Sequence, residues 1–161
     1  MFATLITIRF PVNSWGVTSL DPSLLYAIKQ VELAVRSHLD DLLKGSGVTA
    51  VQYTALTVLH RRDGLTSAQL ARNSFVKTQS MADIVTALEK ARLINRRRDP
   101  ADSRRILISL TDQGRTLISE YDEPVRKLEA QMIAGLTNAQ VRDLRKSLNH
   151  CRANLGEHPP H

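Results

Sequence analysis

The stretch that decides the fold is residues 93–111, LINRRRDPADSRRILISLT, in which three arginines and two arginines flank an Asp-Pro turn between two apolar runs. Short alternating runs on either side of a turn predict a β-hairpin. On the return strand, Ile106, Ile108 and Leu110 are expected to point inward. Residues 90–105 contain seven basic and two acidic side chains, a net charge of +5, whereas the whole chain carries +6. Such concentrated charge is typical of a protein that binds a polyanion, with a solvated charged hairpin as the alternative.

The composition is typical of one soluble globular domain. A length of 161 residues, 42% of them hydrophobic and 24% charged, is enough for an ordinary core. No apolar run approaches the roughly 20 residues that span a bilayer, so no membrane association is expected. Residues 1–20 lack the features of a signal peptide and are expected to be a flexible leader. The lone Cys151 lies on an apolar helical stripe and is expected to be a buried small hydrophobe in a reducing cytoplasm.

A cap and an apolar repeat predict the first helix. Asp21-Pro22 supplies an N-cap and a proline at the first helical position, and Lys44-Gly45 supplies the stop signal. Between them, apolar residues recur every three or four positions on one face of a long amphipathic helix. These residues are Leu24, Ile28, Val31, Val35, Leu39 and Leu42.

Three later helix starts share a capping box, in which a threonine is followed by a glutamine three residues later. The pairs are Thr49 with Gln52, Thr66 with Gln69, and Thr137 with Gln140. In this motif the threonine hydroxyl accepts a hydrogen bond from a free backbone N–H, and the glutamine side chain accepts one from the threonine backbone. The three pairs therefore predict where three helices begin.

A helix-turn-helix is predicted in the middle of the chain. A helix from about Ala50 to Arg62 is followed by a short one from Ser67 to about Arg72 and a longer one from near Thr78. The longer helix is expected to bury an apolar face and to leave a polar face exposed. The buried set is Met81, Ile84, Val85 and Leu88, and the exposed set is Thr78, Gln79, Ser80, Asp83, Thr86, Ala87 and Lys90.

Two long helices are predicted after the hairpin. Thr111 is expected to cap the first, in which Pro124 interrupts the apolar stripe and should kink or split the helix. The second is expected from Asn138 to about Leu155, which leaves residues 157–161 as a tail. A helix-turn-helix followed by a β-hairpin is a winged helix. The long terminal helices carry more apolar surface than a small winged helix needs, and such a surplus is typical of a partner interface.

The chemistry of duplex recognition gives the polar residues of this region candidate roles. The amino end of a helix in the major groove presents N–H groups to phosphate, and Gln79 can pair with adenine. Arginines on the hairpin suit a narrow, electronegative minor groove. The candidate DNA-binding residues are Thr66, Ser67, Lys77, Thr78, Gln79, Ser80, Arg96, Arg97, Arg98, Arg104 and Arg105. Thr66 has an alternative role, because it caps a helix whether or not DNA is bound.

Residues 76–115, VKTQSMADIVTALEKARLINRRRDPADSRRILISLTDQGR, resemble the recognition helix and wing of the multiple antibiotic resistance regulator (MarR) family of bacterial transcription factors. The resemblance extends over roughly residues 24–155. The wing signature Asp-x-x-Asp-x-Arg, followed by Leu-Thr-x-x-Gly, is matched by Asp99, Asp102, Arg104, Leu110, Thr111 and Gly114. The resemblance implies that Arg104 enters the minor groove, that Asp102 orients it, and that the first and last helices join a homodimer.

Four positions depart from the family pattern. Asp83 and Ala87 stand on the recognition face where relatives often carry arginines, and an aspartate repels phosphate unless it accepts from a cytosine amino group. Arg92 stands where relatives usually have the glycine that closes this helix, so a left-handed residue other than glycine is expected there. Pro124 falls in the predicted dimer scaffold.

The resemblance also implies release from DNA by a small ligand, a metal or thiol oxidation. The scattered histidines and the position of Cys151 do not favour metal or redox sensing, so no metal and no cofactor is expected. The remaining hypothesis is a pocket between the dimer helices and the DNA-binding region. Its candidate residues are Trp15, His38 and Tyr53, although core packing explains His38 and Tyr53 equally well. The sequence contains neither a phosphate-binding glycine loop nor a nucleophile beside a plausible base. An enzyme is therefore not expected.

The sequence thus predicts a mainly α fold with a small β-hairpin wing. A winged helix-turn-helix over residues 48–111 is flanked by helical dimerisation segments over residues 21–47 and 112–156. The predicted function is that of a cytoplasmic regulator that binds double-stranded DNA sequence-specifically, a repressor released by a small aromatic or phenolic ligand. The alternatives are a winged-helix protein-interaction module and a DNA-architectural protein without a ligand. A homodimer would bind a pseudo-palindromic operator with half-sites about one helical turn, roughly 34 Å, apart.

Overall fold

The computed structural model describes residues 23–156, which form six helices and a two-stranded sheet. In chain order the elements are α1 (Leu24–Leu42), α2 (Ala50–Arg61), α3 (Ser67–Asn73), α4 (Thr78–Lys90), β1 (Ile94–Arg98), β2 (Ile106–Leu110), α5 (Asp112–Met132) and α6 (Asn138–Leu155). The described residues divide into two units, with the boundary between Ser37 and His38. The described part of the first unit is helical, and all elements from α2 onward belong to the second. The predicted mainly α fold with a hairpin wing is confirmed.

All three predicted capping boxes are present. At α2, α3 and α6 the threonine Oγ1 accepts from the backbone N of the glutamine at 3.3 Å. The glutamine Oε1 accepts from the threonine N at 2.9, 2.9 and 2.8 Å respectively. At α5, Thr111 Oγ1 accepts from Gly114 N at 3.1 Å. Each bond satisfies an N–H group that a helix leaves unpaired at its start, so the predicted starts of these helices are confirmed.

The long helices α1 and α5, which precede and follow the helix-turn-helix and hairpin in the chain, differ from prediction in detail. α1 begins at Leu24, after Ser23, whose Oγ accepts from Tyr26 N at 3.2 Å. The start predicted at Asp21-Pro22 lies outside the described residues. α5 is continuous through Pro124, so the helix is not split there, and the other predicted outcome, a kink, stays a prediction. The proline removes one helical hydrogen bond, but the helix packs against the core on both sides of it, through Tyr121 and Val125.

The hairpin forms as predicted, with Arg98 opposite Ile106 at its outer end. The other edge of β2 pairs with Leu65, because Leu65 and Ile108 exchange backbone hydrogen bonds of 3.2 and 2.8 Å. Ile108 and Leu110 are buried, but Ile106 is 43% exposed, so its predicted inward position is wrong. Ile106 lies two residues beyond the Leu65 pairing, where the strand leaves the core and runs out toward the tip.

One hydrophobic core supports the winged helix, built from α2, α3, α4, the hairpin and α5. On α4, Met81, Val85 and Leu88 are fully buried and Ile84 is partly buried, which confirms the predicted core face. The seven residues predicted to face outward are all exposed. The largest fully buried side chains are Leu43, Leu56, Leu59, Leu70, Met81, Leu88 and Ile108.

Contacts at the start of α5 fix the joint between α4 and β1. Thr111 N donates to Leu93 O at 3.1 Å, and Thr111 Oγ1 donates to Arg92 O at 2.7 Å. Gly114 lies against the same joint, where an added Cβ would stand 2.1 Å from Leu93 O. This separation is far below any real contact of a Cβ atom, so α5 can approach the joint only because residue 114 has no side chain.

Gly114→Ala is expected to destabilise the protein by about 1–3 kcal/mol, because the added methyl must displace a backbone carbonyl. Helix propensity alone predicts the opposite sign, since alanine is the better helix former by about 1 kcal/mol. Thermal unfolding followed by circular dichroism measures the change, at roughly 2–4 °C per kcal/mol for a chain of this size. Ser119→Ala, an exposed substitution on the same helix, is the control. A Tm for Gly114→Ala at or above the wild-type value would contradict the close contact.

Candidate nucleic-acid interface

Helix α4 begins without the side-chain cap found at α2, α3 and α5. Its N-cap residue, Lys77, makes no side-chain hydrogen bond to the helix. The first backbone N–H groups of α4 therefore have no capping side chain as acceptor and can donate to an anion such as a phosphate. Thr78, Gln79 and Ser80 follow directly and are exposed. The structure thus brings four of the predicted DNA-binding residues together at one helix end.

The exposed face of α4 carries little positive charge. Asp83 and Ala87 are exposed on it, as the sequence predicts, and Lys90 lies only in the last turn. A carboxylate near the middle of this face repels phosphate oxygens. Attraction of a duplex to this region must therefore come from the amino end of α4 and from the wing.

The wing tip is a tight turn held by its two aspartates. Asp99 N donates to Arg105 O at 2.9 Å, and Asp99 Oδ1 accepts from Ala101 N at 2.9 Å. Asp102 Oδ1 accepts from both the backbone N of Arg104 at 3.1 Å and its Nε at 3.3 Å. The Arg104 side chain is nevertheless 91% exposed. Asp102 thus fixes the base of this guanidinium group while its remaining N–H groups point to solvent, and Arg105 lies 3.6 Å from Asp99.

The other three arginines lie on strand β1 rather than at the tip. Arg96 pairs with Glu89 of α4, with its Nε 2.7 Å and one terminal nitrogen 2.5 Å from the same carboxylate oxygen. This pair neutralises Arg96 and links the wing to α4. Arg97 and Arg98 are exposed and form no ion pair within residues 23–156. Successive strand residues point to opposite faces, so these two guanidinium groups extend the positive charge on both sides of the wing.

The two candidates at the start of α3 already serve the fold. Thr66 Oγ1 accepts from Gln69 N at 3.3 Å and lies 3.0 Å from Gln69 Oε1, so its hydroxyl is occupied in the capping box. Ser67, the first residue of α3, is half-buried. To contact a phosphate, the Thr66 hydroxyl would have to donate to it in place of Gln69 Oε1, its partner in the capping box.

Both helices of the helix-turn-helix end at a left-handed residue that is not glycine. The residue is Phe75 after α3, with φ 56°, and Arg92 after α4, with φ 59°. The next residue in each case donates its backbone N–H back to the helix at 3.0 Å, which is the Schellman arrangement that favours glycine. A side chain in this conformation costs on the order of 1 kcal/mol. The expectation for Arg92 is confirmed, whereas the left-handed conformation of Phe75 was not foreseen.

Comparison with known proteins shows which family has this arrangement. The model of the MarR family matches residues 46–105. The HTH-type transcriptional repressor Rv2887 of Mycobacterium tuberculosis is 30% identical over 128 residues, which is 80% of this chain and 92% of the repressor. The chain belongs to the MarR family.

Solved structures agree with this assignment. The structure of the M. tuberculosis MarR family protein Rv2887 in complex with salicylic acid has a TM-score of 0.65 and 30% identity, and covers 82% of this chain and 98% of that one. A probable transcriptional regulator from Pseudomonas aeruginosa has a TM-score of 0.73 and 27% identity, with coverage of 83% and 99%.

Members of the MarR family are DNA-binding transcriptional regulators, so the predicted function as a DNA-binding transcriptional regulator rather than an enzyme is confirmed. Membership also decides against the two alternatives, a protein-interaction module and an architectural protein. Within residues 23–156 no helix is both long and apolar enough to cross a membrane.

The predicted ligand-binding residues of this MarR-family chain have different surroundings. Trp15 lies outside the described residues, and His38 is an exposed residue of α1. Tyr53 is 5% exposed, and its ring meets that of Tyr121 edge to face, with centroids 6.3 Å apart. Burial raises the pKa of the Tyr53 hydroxyl, and the charge of Asp122 adds to the rise, so the group is protonated at neutral pH.

Two cavities lie among the described residues of the second unit. One of about 370 Å³ lies between the α1–α2 loop, the α4–β1 joint and α5, with Leu93, Leu117 and Glu120 in its lining. The other, about 410 Å³, lies between the end of α5 and α6, with Leu144 and Leu148 in its lining. Neither is lined by His38 or Tyr53. Residues 23–156 contain no group of three or more side chains placed to hold a metal ion.

Three residues that support the interface were not found from the sequence. Asp63 Oδ1 accepts from Leu110 N at 3.2 Å, and its other oxygen lies 3.6 Å from Arg115. Leu65 pairs with β2, and Glu89 holds Arg96. In the sequence, Asp63 precedes a glycine and indicates only a turn. Its partner Leu110 lies 47 residues further along the chain, so no local pattern reveals the contact.

Proposed function

We propose that this MarR-family protein binds its operator with the amino end of α4 in the major groove and the wing tip in the adjacent minor groove. The observation that carries the proposal is the wing tip, where Asp102 holds Arg104 in place and leaves it 91% exposed. An oriented, solvent-facing guanidinium group suits the narrow minor groove, and holding it in advance lowers the entropic cost of binding.

The remaining candidates have roles that follow from their positions. Thr78, Gln79 and Ser80 contact base edges or the backbone from the uncapped start of α4, and Lys77 contacts phosphate. Arg97, Arg98 and Arg105 contribute backbone charge from the wing. Arg96 contributes less, because Glu89 neutralises it. Ser67 contacts phosphate from the start of α3, and Thr66 joins it when its hydroxyl donates to phosphate instead of to Gln69 Oε1.

We propose a homodimer that binds a pseudo-palindromic operator. Met132, Leu144 and Leu148 are exposed and lie together at the groove between the end of α5 and α6. Exposed apolar surface of this kind usually marks a protein interface. Leu24, Ile28 and Val31 of α1 are exposed as well. Two-fold symmetry then places two copies of α4 about one helical turn, roughly 34 Å, apart.

We propose repression in the bacterial cytoplasm, where the chromosome lies, and release of the operator by a small aromatic ligand. Support comes from the mycobacterial relative, whose structure holds salicylic acid at 30% identity to this chain. The hydroxyl of Tyr53 is protonated and can donate a hydrogen bond to such a ligand. Because Tyr53 is 5% exposed and lines neither cavity, this contact requires the packing around it to open when the ligand binds. His38 is the second candidate contact. A ligand acts by favouring a separation of the α4 helices that no longer fits successive grooves.

The DNA-binding proposal is tested by titrating salt against the affinity for a random-sequence duplex. The logarithm of the association constant is expected to fall steeply with the logarithm of the salt concentration. Arg104→Ala should reduce the magnitude of this slope by about one, since each cation that no longer displaces counterions from the duplex removes roughly 0.9. The matched control is Lys127→Ala, which removes an exposed charge from the middle of α5. A slope that is flat in the wild type, or equal in Arg104→Ala and wild type, would contradict the role of the wing.

The dimer is tested by Leu144→Asp, which places a charge in the apolar groove without touching the core. The variant is expected to sediment as a monomer. It should bind the intergenic DNA fragment upstream of its own gene at least about ten-fold more weakly, because a monomer contacts only one half-site of the operator. The control is Ser147→Asp, which introduces the same charge at an exposed position of α6 that does not line the groove. Retention of the dimer by Leu144→Asp would show that this groove is not the interface.

The ligand response is tested by adding salicylate or benzoate to the complex with the upstream fragment. Operator affinity is expected to fall about ten-fold at saturation, a coupling of about 1.4 kcal/mol, and Tyr53→Phe should weaken this response but keep the affinity measured without ligand. If no aromatic acid changes the affinity while the salt titration succeeds, the ligand proposal fails and the DNA-binding proposal stands.

A further inference from the structure

Two residues other than glycine have a positive φ within residues 23–156, and they stand just before and just after α4. They are Phe75 and Arg92. At the other positive-φ positions of the same part of the chain the residue is glycine. The chain therefore uses glycine where only the backbone conformation matters, and it keeps a side chain at the two ends of the recognition helix.

The fold does not account for the ring of Phe75. The backbone bonds of this turn are Val76 N to Ala71 O at 3.0 Å and Phe75 N to Arg72 O at 3.4 Å, and glycine would form both. The neighbouring Val76 supplies the apolar contact with the core. The Phe75 side chain is 63% exposed. A strained residue whose side chain neither packs nor caps indicates a contact outside the chain.

The position of Phe75 indicates the nature of that contact. It lies two residues before Lys77 and three before Thr78, at the uncapped end of α4. Arg72 and Lys77 on either side are exposed and positively charged. An apolar ring flanked by cations suits DNA, where phosphates lie beside the apolar faces of deoxyribose and the methyl group of thymine.

We propose that Phe75 is a DNA-contacting residue whose ring packs on a thymine methyl group or a deoxyribose at the edge of the major groove. The proposal rests on the proposed function, because it requires the amino end of α4 to enter that groove. Phe75 adds an apolar contact to an interface that is otherwise polar and charged, and so it contributes to affinity without contributing to the salt dependence.

Arg92 provides the internal comparison. It follows Thr78 by 14 positions, which places it about 20 Å along the axis of α4, at the end away from the bases. Its carbonyl is already held by Thr111. Arg92→Gly therefore relieves the same kind of backbone strain at the opposite end of the same helix, and it controls for any effect of strain relief on DNA binding.

The experiment measures Kd by fluorescence anisotropy for two duplexes, one selected from a random-sequence library by the wild-type protein and one of unselected sequence. Phe75→Gly is expected to bind the selected duplex about ten-fold more weakly, with the salt slope unchanged because no charge is lost. Its Tm should be equal to the wild-type value or about 2 °C higher, since glycine suits the conformation. Phe75→Ala should show the same loss of affinity without the gain in Tm.

Replacing the thymines of the selected duplex by uracil distinguishes the two apolar partners. If the ring packs on a methyl group, this replacement weakens the wild type about as much as Phe75→Gly does and leaves Phe75→Gly unaffected. If the ring packs on deoxyribose, both proteins respond alike and the affinity difference between them persists.

An equal Kd for Phe75→Gly and wild type on the selected duplex would overturn the proposal and leave the ring as a surface for another protein. A fall in Tm of more than about 5 °C for both Phe75 variants would overturn it too, by showing that the ring is structural. An equal loss of affinity in Arg92→Gly with its salt slope unchanged would attribute the effect to the backbone, whereas a loss that comes with a smaller slope would reflect the removed charge. Failure of the wild type to retain any duplex would instead refute the proposed function.

Discussion

The recognition helix and the wing can act on one duplex only if their relative position is fixed, and the contact of α5 with the α4–β1 joint supplies this constraint. Thr111 bonds the carbonyls of Arg92 and Leu93, and Gly114 lets the helix lie directly against the second of them. α4 and β1 meet at this joint, so a small displacement there would move both elements that are proposed to contact DNA. α5 also continues toward the apolar groove with α6, which gives the proposed dimer interface a rigid connection to the proposed DNA contacts.

Carboxylates hold several arginine side chains of the candidate interface in place. Asp99 and Asp102 hold the arginines of the wing tip, and Glu89 joins β1 to α4 through Arg96. Such exposed pairs contribute little to stability. Their effect is to reduce the number of conformations that long arginine side chains adopt before DNA is bound. The cost is a lower net charge, because an arginine paired within the protein has less attraction left for phosphate.

Most of the fold and part of the interface could be predicted from the sequence. The capping boxes, the core face of α4 and the hairpin follow from residues at most a few positions apart, and the structure has them all. One error and one open alternative arose where a distant contact decides the outcome. Ile106 is exposed because the pairing of β2 with Leu65 ends before it, and Pro124 stays within α5 because the helix packs against the core on both sides.

The sequence by itself determined the class of protein, because helix periodicity, caps and the charged turn are local signals and the wing signature matches that of the MarR family. Only the tertiary structure decided which charged groups are available. It pairs Arg96 with Glu89, leaves Arg104 exposed and turns the ring of Phe75 to solvent. These outcomes depend on the packing of α4, the wing and α5 together. No local pattern of residues determines the distance between side chains on different elements.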